Sequence, residues 1–221
     1  WGGELVLSYS SHPMKSYPSI VGRPPSGTPF YIFDKLDGSN VRAEYSRKRG
    51  FHKFGKRNGL LDPAYAVTPF LSQAPGLIME THSEELARIC KKQRWERATF
   101  YFEFHGPSSF AGFHQDEPHR VDLLDVSVYR KGFMEPKAFL KLFEDRVPHA
   151  RLLHHGNFTL DIQEAVAAGE FPGMTFEGIV AKGAWDKKKG RPAMWKYKNL
   201  EWFKRLRELC REDYAMYERL A

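Results

Sequence analysis

Phe33-Asp34-Lys35-Leu36-Asp37-Gly38-Ser39-Asn40 sets a lysine at the end of an apolar run, residues 30–34, and follows it with an acid, a glycine and small polar residues. Aromatic and β-branched residues favour a strand up to the lysine, and the glycine with its polar neighbours marks a turn. A lysine in such a place is either an ordinary surface-turn residue or an amine delivered by a strand to a site. The second role makes one demand: a nucleophilic amine must lose its proton, and nearby cations favour that loss.

Such cations stand far away in the chain, in Lys196-Tyr197-Lys198-Asn199 at the end of another strand-like run, 193–198. Residues two apart on a strand share a face, so Lys196 and Lys198 point one way and Trp195 and Tyr197 the other. Beside Lys35 the two ammonium groups would depress its pKa and grip a phosphate; elsewhere they are a solvated cationic strand face. The run 99–104 alternates in the same manner, with Phe100, Phe102 and Phe104 on a buried face and Tyr101, Glu103 and His105 towards a cleft or solvent. In 176–182, Glu177 precedes the apolar pair Ile179-Val180, and alternation puts Val180 on the face opposite Glu177.

Two further strands are expected at 40–47 and 121–129. Thr81 and Glu84 have capping-box spacing ahead of Leu86, Ile89 and Cys90, which predicts a helix over 83–97. Another begins at Pro136, with Phe139, Leu140, Leu142 and Phe143 as its apolar stripe, and two more occupy 162–168 and 200 to the end. Strands separated irregularly by helices and long loops give an α+β class with largely antiparallel sheets. The first thirty residues hold Pro13, Pro18, Pro24, Pro25 and Pro29, a lead-in expected to wrap the surface more than build a sheet.

The 221 residues include 34 lysines and arginines against 27 acids, a net +7 and a pI of 9.3, which points to a polyanionic partner. Six cations and no acid lie between Ser46 and Arg57, interleaved with Phe51 and Phe54, and Lys187-Lys188-Lys189 forms a second basic run. The first suits a strand that tracks a nucleic-acid backbone, and the second suits either such a backbone or a solvated loop. Cys90 and Cys210 have no metal-ligand spacing and are read as packing residues, and His114, His119, His154 and His155 as surface or structural groups. No stretch is apolar enough for a membrane span and no signal peptide is seen, so a soluble, intracellular protein without a membrane partner is expected.

Taken in order, these segments resemble the motifs of the covalent nucleotidyltransferases, the superfamily of ATP-dependent ligases and mRNA capping enzymes. Phe33 to Asn40 resembles motif I, Tyr101-Phe102-Glu103-Phe104-His105-Gly106 motif III, Phe176-Glu177-Gly178-Ile179-Val180-Ala181-Lys182 motif IV, and Lys196-Tyr197-Lys198-Asn199 motif V. The resemblance implies an adenylyltransferase domain of the ATP-grasp-like ligase class over 1–199, its lead-in reaching about residue 29. The remaining 200–221 would be one basic helix packed on it by Trp202, Phe203, Leu206 and Leu209. It further implies ATP as substrate, Lys35 as the nucleophile that takes AMP, and Lys196 and Lys198 as catalytic partners. Asp34, Leu36, Asn40, Arg57, Glu103, Val180 and Lys182 would bind the nucleotide, with Glu103 on the ribose and Val180 against the adenine. Glu177 and Asp37 would hold Mg²⁺ or Mn²⁺, a choice hard oxygen donors suit. The aromatic residue usually found over the second face of adenine is missing from 121–126, and Val121 is its substitute.

Asn40, five residues after the lysine, and Gly55-Lys56-Arg57-Asn58-Gly59 resemble the RNA ligases of the phage nick-sealing and trypanosome editing group more than DNA ligases or capping enzymes. RNA ends or nicks are therefore the expected partner, with a small DNA ligase and a non-catalytic RNA-binding module as the rivals.

Overall fold

The structure, a computed structural model, describes residues 14–20, 22–61, 69–107, 109, 116–211 and 213–220; His114 and Pro13 lie outside them. Two antiparallel sheets organise the chain. The first has four strands in the order β10-β9-β1-β8, formed by β1 (Pro29–Lys35), β8 (Leu152–Asn157), β9 (Gly178–Asp186) and β10 (Arg191–Lys198). The second has six in the order β4-β3-β2-β5-β6-β7: β2 (Gly38–Ser46), β3 (Gly50–Lys56), β4 (Gly59–Leu60), β5 (Arg97–His105), β6 (Arg120–Val128) and β7 (Gly132–Phe133). The α+β class with antiparallel pairing follows the expectation; the pattern did not reveal the two-residue strands β4 and β7, nor β8, which is rich in histidine and glycine rather than β-branched residues.

Alternation explains the main core. Val41, Ala43 and Tyr45 of β2, Phe100, Phe102 and Phe104 of β5, and Val121, Leu123, Val126 and Val128 of β6 all turn inward, and all are buried. Helices α1 (Ala74–Thr81), α2 (Ser83–Lys92) and α3 (Pro136–Phe143) cover that face with Ile78, Leu86, Ile89, Phe139 and Phe143. A separate core forms on one face of the four-stranded sheet, where Phe30, Ile32, Ile179 and Ala181 meet Val166 of α4 (Leu160–Ala168).

Three helix expectations change. His82, not Thr81, stands at the N-cap of α2, and no side chain caps it, because α1 runs directly into it. The same helix stops at Lys92: Arg94 has φ 56° and the chain turns into β5. The C-terminal stretch is two helices, α5 (Leu200–Cys210) and α6 (Tyr214–Leu220), broken where Arg211 takes φ 50°. Helices α3 and α4 stand where expected, with Pro136 in the first turn of one and the Thr159 hydroxyl accepting from the Ile162 amide at the start of the other.

Residues 14–20 of the lead-in form no regular structure and cross the outer face of the six-stranded sheet. The Arg42 guanidinium donates to the Met14 carbonyl at 3.0 Å and the Ser16 hydroxyl at 2.8 Å, and Tyr17 donates to Asp125 at 2.5 Å. Tyr17 also packs on Tyr101 and Phe133, so Tyr101 is buried beneath this strap rather than turned to a cleft. Phe51 and Phe54 are partly buried and pack against the main core, Phe51 against Tyr45 and Phe100. Both cysteines are buried and unpaired, as packing residues would be. No helix among the described residues is long and apolar enough to cross a membrane.

Candidate active site

Strand register brings the distant motifs together. Lys35 pairs with Gly178, and Lys198 pairs with the same glycine from the other side. In the second sheet Gly38 pairs with His105 and Asn40 with Glu103, so the turn after Lys35 hands the chain to a strand that runs alongside Glu103. Two glycines make these approaches possible. A Cβ on Gly38 would lie 2.3 Å from the Phe104 carbonyl oxygen, and one on Gly178, which has φ +143°, would lie 2.2 Å from that of Tyr197.

Between the sheets lies a cavity of about 530 Å³. Lys35, Leu36, Asp37, Asn40, Arg57, Glu103, Glu177, Val180, Lys182, Lys196 and Lys198 all line it. Val180 and Glu177 face the same space rather than opposite sides, because Glu177 precedes β9 and the unusual backbone at Gly178 interrupts the alternation.

Glu177 holds two lysines at once. Its carboxylate lies 2.8 Å from Lys35 Nζ and 3.1 Å from Lys198 Nζ, and Lys198 also sits 3.6 Å over the ring of Trp202. This overturns the expected depression of the Lys35 pKa. Burial does act to lower it, but Glu177, then Glu103 and Asp37, outweigh that effect and raise it above its ordinary value. The depressed amines are the partners. Burial brings Lys198 down to about 8 against the attraction of Glu177, with Lys35 and Lys196 assisting, and burial followed by the Lys35 charge lowers Lys196. Burial pushes the Glu103 carboxyl up to about 8, with Glu177 and Asp37 reinforcing the shift against Lys35.

Other candidates have different duties. The Asp34 side chain is fully buried and turned to Thr175, which donates to it from its amide at 2.9 Å and its hydroxyl at 3.1 Å. With Arg151 at 3.5 Å, it anchors the lysine turn to the segment before Glu177, and the residue also lines the cavity. Lys182 faces the cavity, but its ammonium is held by Asp125 at 2.9 Å and the Leu124 carbonyl at 2.7 Å. Val121 does not line the cavity; it belongs to the main core, and its carbonyl lies 2.7 Å from the His82 ring. Leu124, on the face of β6 opposite the core residue Leu123, lines the cavity instead, and it is the extra residue of a bulge opposite Tyr101 and Phe102 of β5.

Tyr17, Pro18, Ile20, Leu71, Leu124 and Trp202 are cavity residues the sequence did not disclose. Asp125, an acid set between the apolar residues Leu123, Leu124 and Val126, offered the one signal that something charged must face it. Asn40 donates to the Phe102 carbonyl at 3.3 Å, while its own buried amide oxygen has no protein partner.

Divalent metal suits the donor set in a limited way. Glu177, Glu103 and Asp37 all reach the cavity, yet among the described residues no three acidic, histidine or cysteine side chains are grouped closely enough to enclose an ion. That arrangement fits an ion held by one or two carboxylates, with water and substrate phosphates completing its shell.

No protein-family model matches the chain, and no curated protein sequence does. Solved structures do. A protein described as an ATP-dependent DNA ligase from Aquifex aeolicus superposes with a TM-score of 0.62 at 18% identity, covering 94% of this chain and 57% of its own. An RNA ligase from Naegleria gruberi with PPi gives 0.58 at 14% identity, covering 94% and 64%, and another Naegleria gruberi RNA ligase, R4a, gives 0.58 at 15%, covering 84% and 58%. The chain therefore has the fold shared by these ligases and spans less than two thirds of the length of each.

Proposed function

We propose that this chain is the adenylyltransferase portion of an ATP-dependent polynucleotide ligase, with RNA as its substrate and Lys35 as the residue that carries AMP. The observation that carries the reading is the placement of Lys35, Lys196 and Lys198, from opposite ends of the sequence, around one cavity of adenylate size with Glu177 between them. The ligase fold supports it independently.

In the first step the Lys35 amine attacks the α-phosphorus of ATP; a P–N bond forms, the bond to pyrophosphate breaks, and AMP remains as a phosphoramidate. Glu177 keeps the amine oriented in the resting site, and its grip must be relaxed for the proton to leave. Glu177 and Asp37 are the residues that would hold Mg²⁺ or Mn²⁺, whose charge offsets that of the phosphates when bound. Lys196 and Lys198 supply fixed positive charge where the phosphoryl group develops negative charge, in a site already organised for it. Val180 and Leu124 give the base apolar walls, and Glu103 receives a ribose hydroxyl. AMP then passes to a 5′-phosphate end, and a 3′-hydroxyl displaces it to seal the strand.

Asn40 and Arg57 on the cavity wall support RNA. The likeness to the Aquifex protein favours DNA as the second reading, and nicked duplexes of each composition separate the two. Incubation with Mg²⁺ and ATP labelled at the α-phosphate, followed by denaturing electrophoresis, tests the chemistry. Native protein is expected to take the label and Lys35→Ala none; a labelled variant moves the nucleophile elsewhere, and no label on either refutes the reading.

A further inference from the structure

The net charge of +7 is not spread over the molecule. Strands β2 and β9 both start at the Lys35 end of their sheets and run away from it, through eight residue steps each. At about 3.3 Å per step their far ends lie roughly 26 Å from Gly38 and Gly178, the residues beside Lys35. Four turns meet there. Ser46 pairs with Arg97, the Arg47 amide donates to the Glu96 carbonyl, and the Tyr129 amide donates to the Arg97 carbonyl, which joins residues 46–50, 94–97 and 129–131. A Cβ on Gly132 would meet the Gly190 carbonyl at 3.3 Å and Trp185 at 3.4 Å, which sets the β9–β10 turn, 185–191, against them.

These four segments hold eleven lysines and arginines against two acids, Glu96 and Asp186. Their net charge is +9, so the rest of the chain is left at −2. Two large aromatic rings stand in the open among them, Tyr129 at 47% exposure and Trp185 at 36%. The Arg97 guanidinium lies 4.2 Å from the Tyr129 ring centre and that of Arg130 5.1 Å. Glu96 pairs with Arg47 and Asp186 with Lys189, so both acids are already engaged within the patch.

We propose that this end of the molecule is a second binding surface, separate from the catalytic cavity, which holds a single-stranded segment of polynucleotide. Its phosphates lie along the basic turns and its bases stack on Tyr129 and Trp185. Clustered cations alone would suit any polyanion, but exposed aromatic rings between them add a stacking platform that single-stranded bases can use and a paired duplex cannot. The surface concerns binding only, and it stands or falls apart from the chemistry at Lys35.

The test uses the whole chain and a fluorescently labelled single-stranded RNA of about twenty nucleotides, with affinity read by anisotropy across a salt series. The variant Arg130→Glu/Lys131→Glu/Lys188→Glu is expected to weaken binding about tenfold or more and to flatten the log–log salt slope by about 2, three phosphate contacts at roughly 0.7 each. Tyr129→Ala, at an exposed position where folding is not at stake, is expected to lose at least about fivefold. RNA is expected to quench the tryptophan emission of the native protein more than that of Trp185→Phe. AMP labelling of all these variants should equal that of the native protein, so a failure at Lys35 is read separately. Unchanged RNA affinity in both the charge-reversed protein and Tyr129→Ala overturns the proposal. Equal competition by duplex RNA or by polyglutamate overturns it too, since the aromatic rings would then contribute nothing.

Discussion

Replacing Asp125 with alanine probes how the cavity is held together. Lys182 on β9 belongs to one sheet, Asp125 on β6 to the other, and Tyr17 to the strap, and all three meet at one carboxylate. The Lys182 and Asp125 side chains are 6% and 2% exposed. At 2.9 Å their attraction is about 6 kcal/mol for an effective dielectric constant of 20, much of it offset by the desolvation of both ions. Asp125→Ala removes the attraction and keeps the desolvated lysine, a loss of about 3–5 kcal/mol. The Tyr17 hydroxyl adds about 1 kcal/mol. At about 2–4 °C per kcal/mol for a chain of this length, the melting temperature should fall by roughly 8–24 °C. Asp125→Ala/Lys182→Met removes the stranded charge and should recover most of the loss. Thermal unfolding of native, single and double variants measures the cycle. A single variant within about 1 kcal/mol of native, or a double variant no better than the single, refutes the account of a buried pair joining the sheets.

Glu103 has a folded-state pKa raised to about 8, so between its unfolded value near 4.5 and pH 8 the folded protein binds more protons than the unfolded one. Its contribution to stability is complete below about pH 4.5 and is lost as pH rises through 8; urea unfolding at pH 5 and pH 8 should show a smaller decline in Glu103→Gln than in the native protein. Gly178→Ala puts a methyl group 2.2 Å from the Tyr197 carbonyl at φ +143° and should separate β9 from β10. Both the melting temperature and AMP labelling should then drop, and a variant that melts and labels like native protein would show that the close approach is not needed. Lys35→Ala should retain native thermal stability to within a few degrees while losing all label, which a melting curve beside the labelling gel checks.

The turn at Gly38, the alternation of Phe100, Phe102 and Phe104 against Glu103, and the shared face of Lys196 and Lys198 were all legible from residue order. A strand repeats every two residues, so a local pattern assigns faces without knowledge of the neighbours. The same logic failed where the backbone departs from the ideal strand. Gly178 returned Glu177 to the face of Val180, and the bulge at Leu124 shifted the alternation of β6, so that Asp125 turns to Lys182 while Val126 returns to the core. That Phe51 and Phe54 pack against the core was not legible either, because alternation along a basic strand does not say which face meets it.

Sequence order alone determined which side chains were available for phosphate chemistry and that antiparallel strands would carry them. Tertiary structure decided which charges meet: Glu177 between Lys35 and Lys198, Asp125 beneath Lys182, and a basic end with two open rings far from the nucleophile. Charge interactions fall off with distance and strengthen with burial, and both quantities arise only when strands separated by more than a hundred residues come into register.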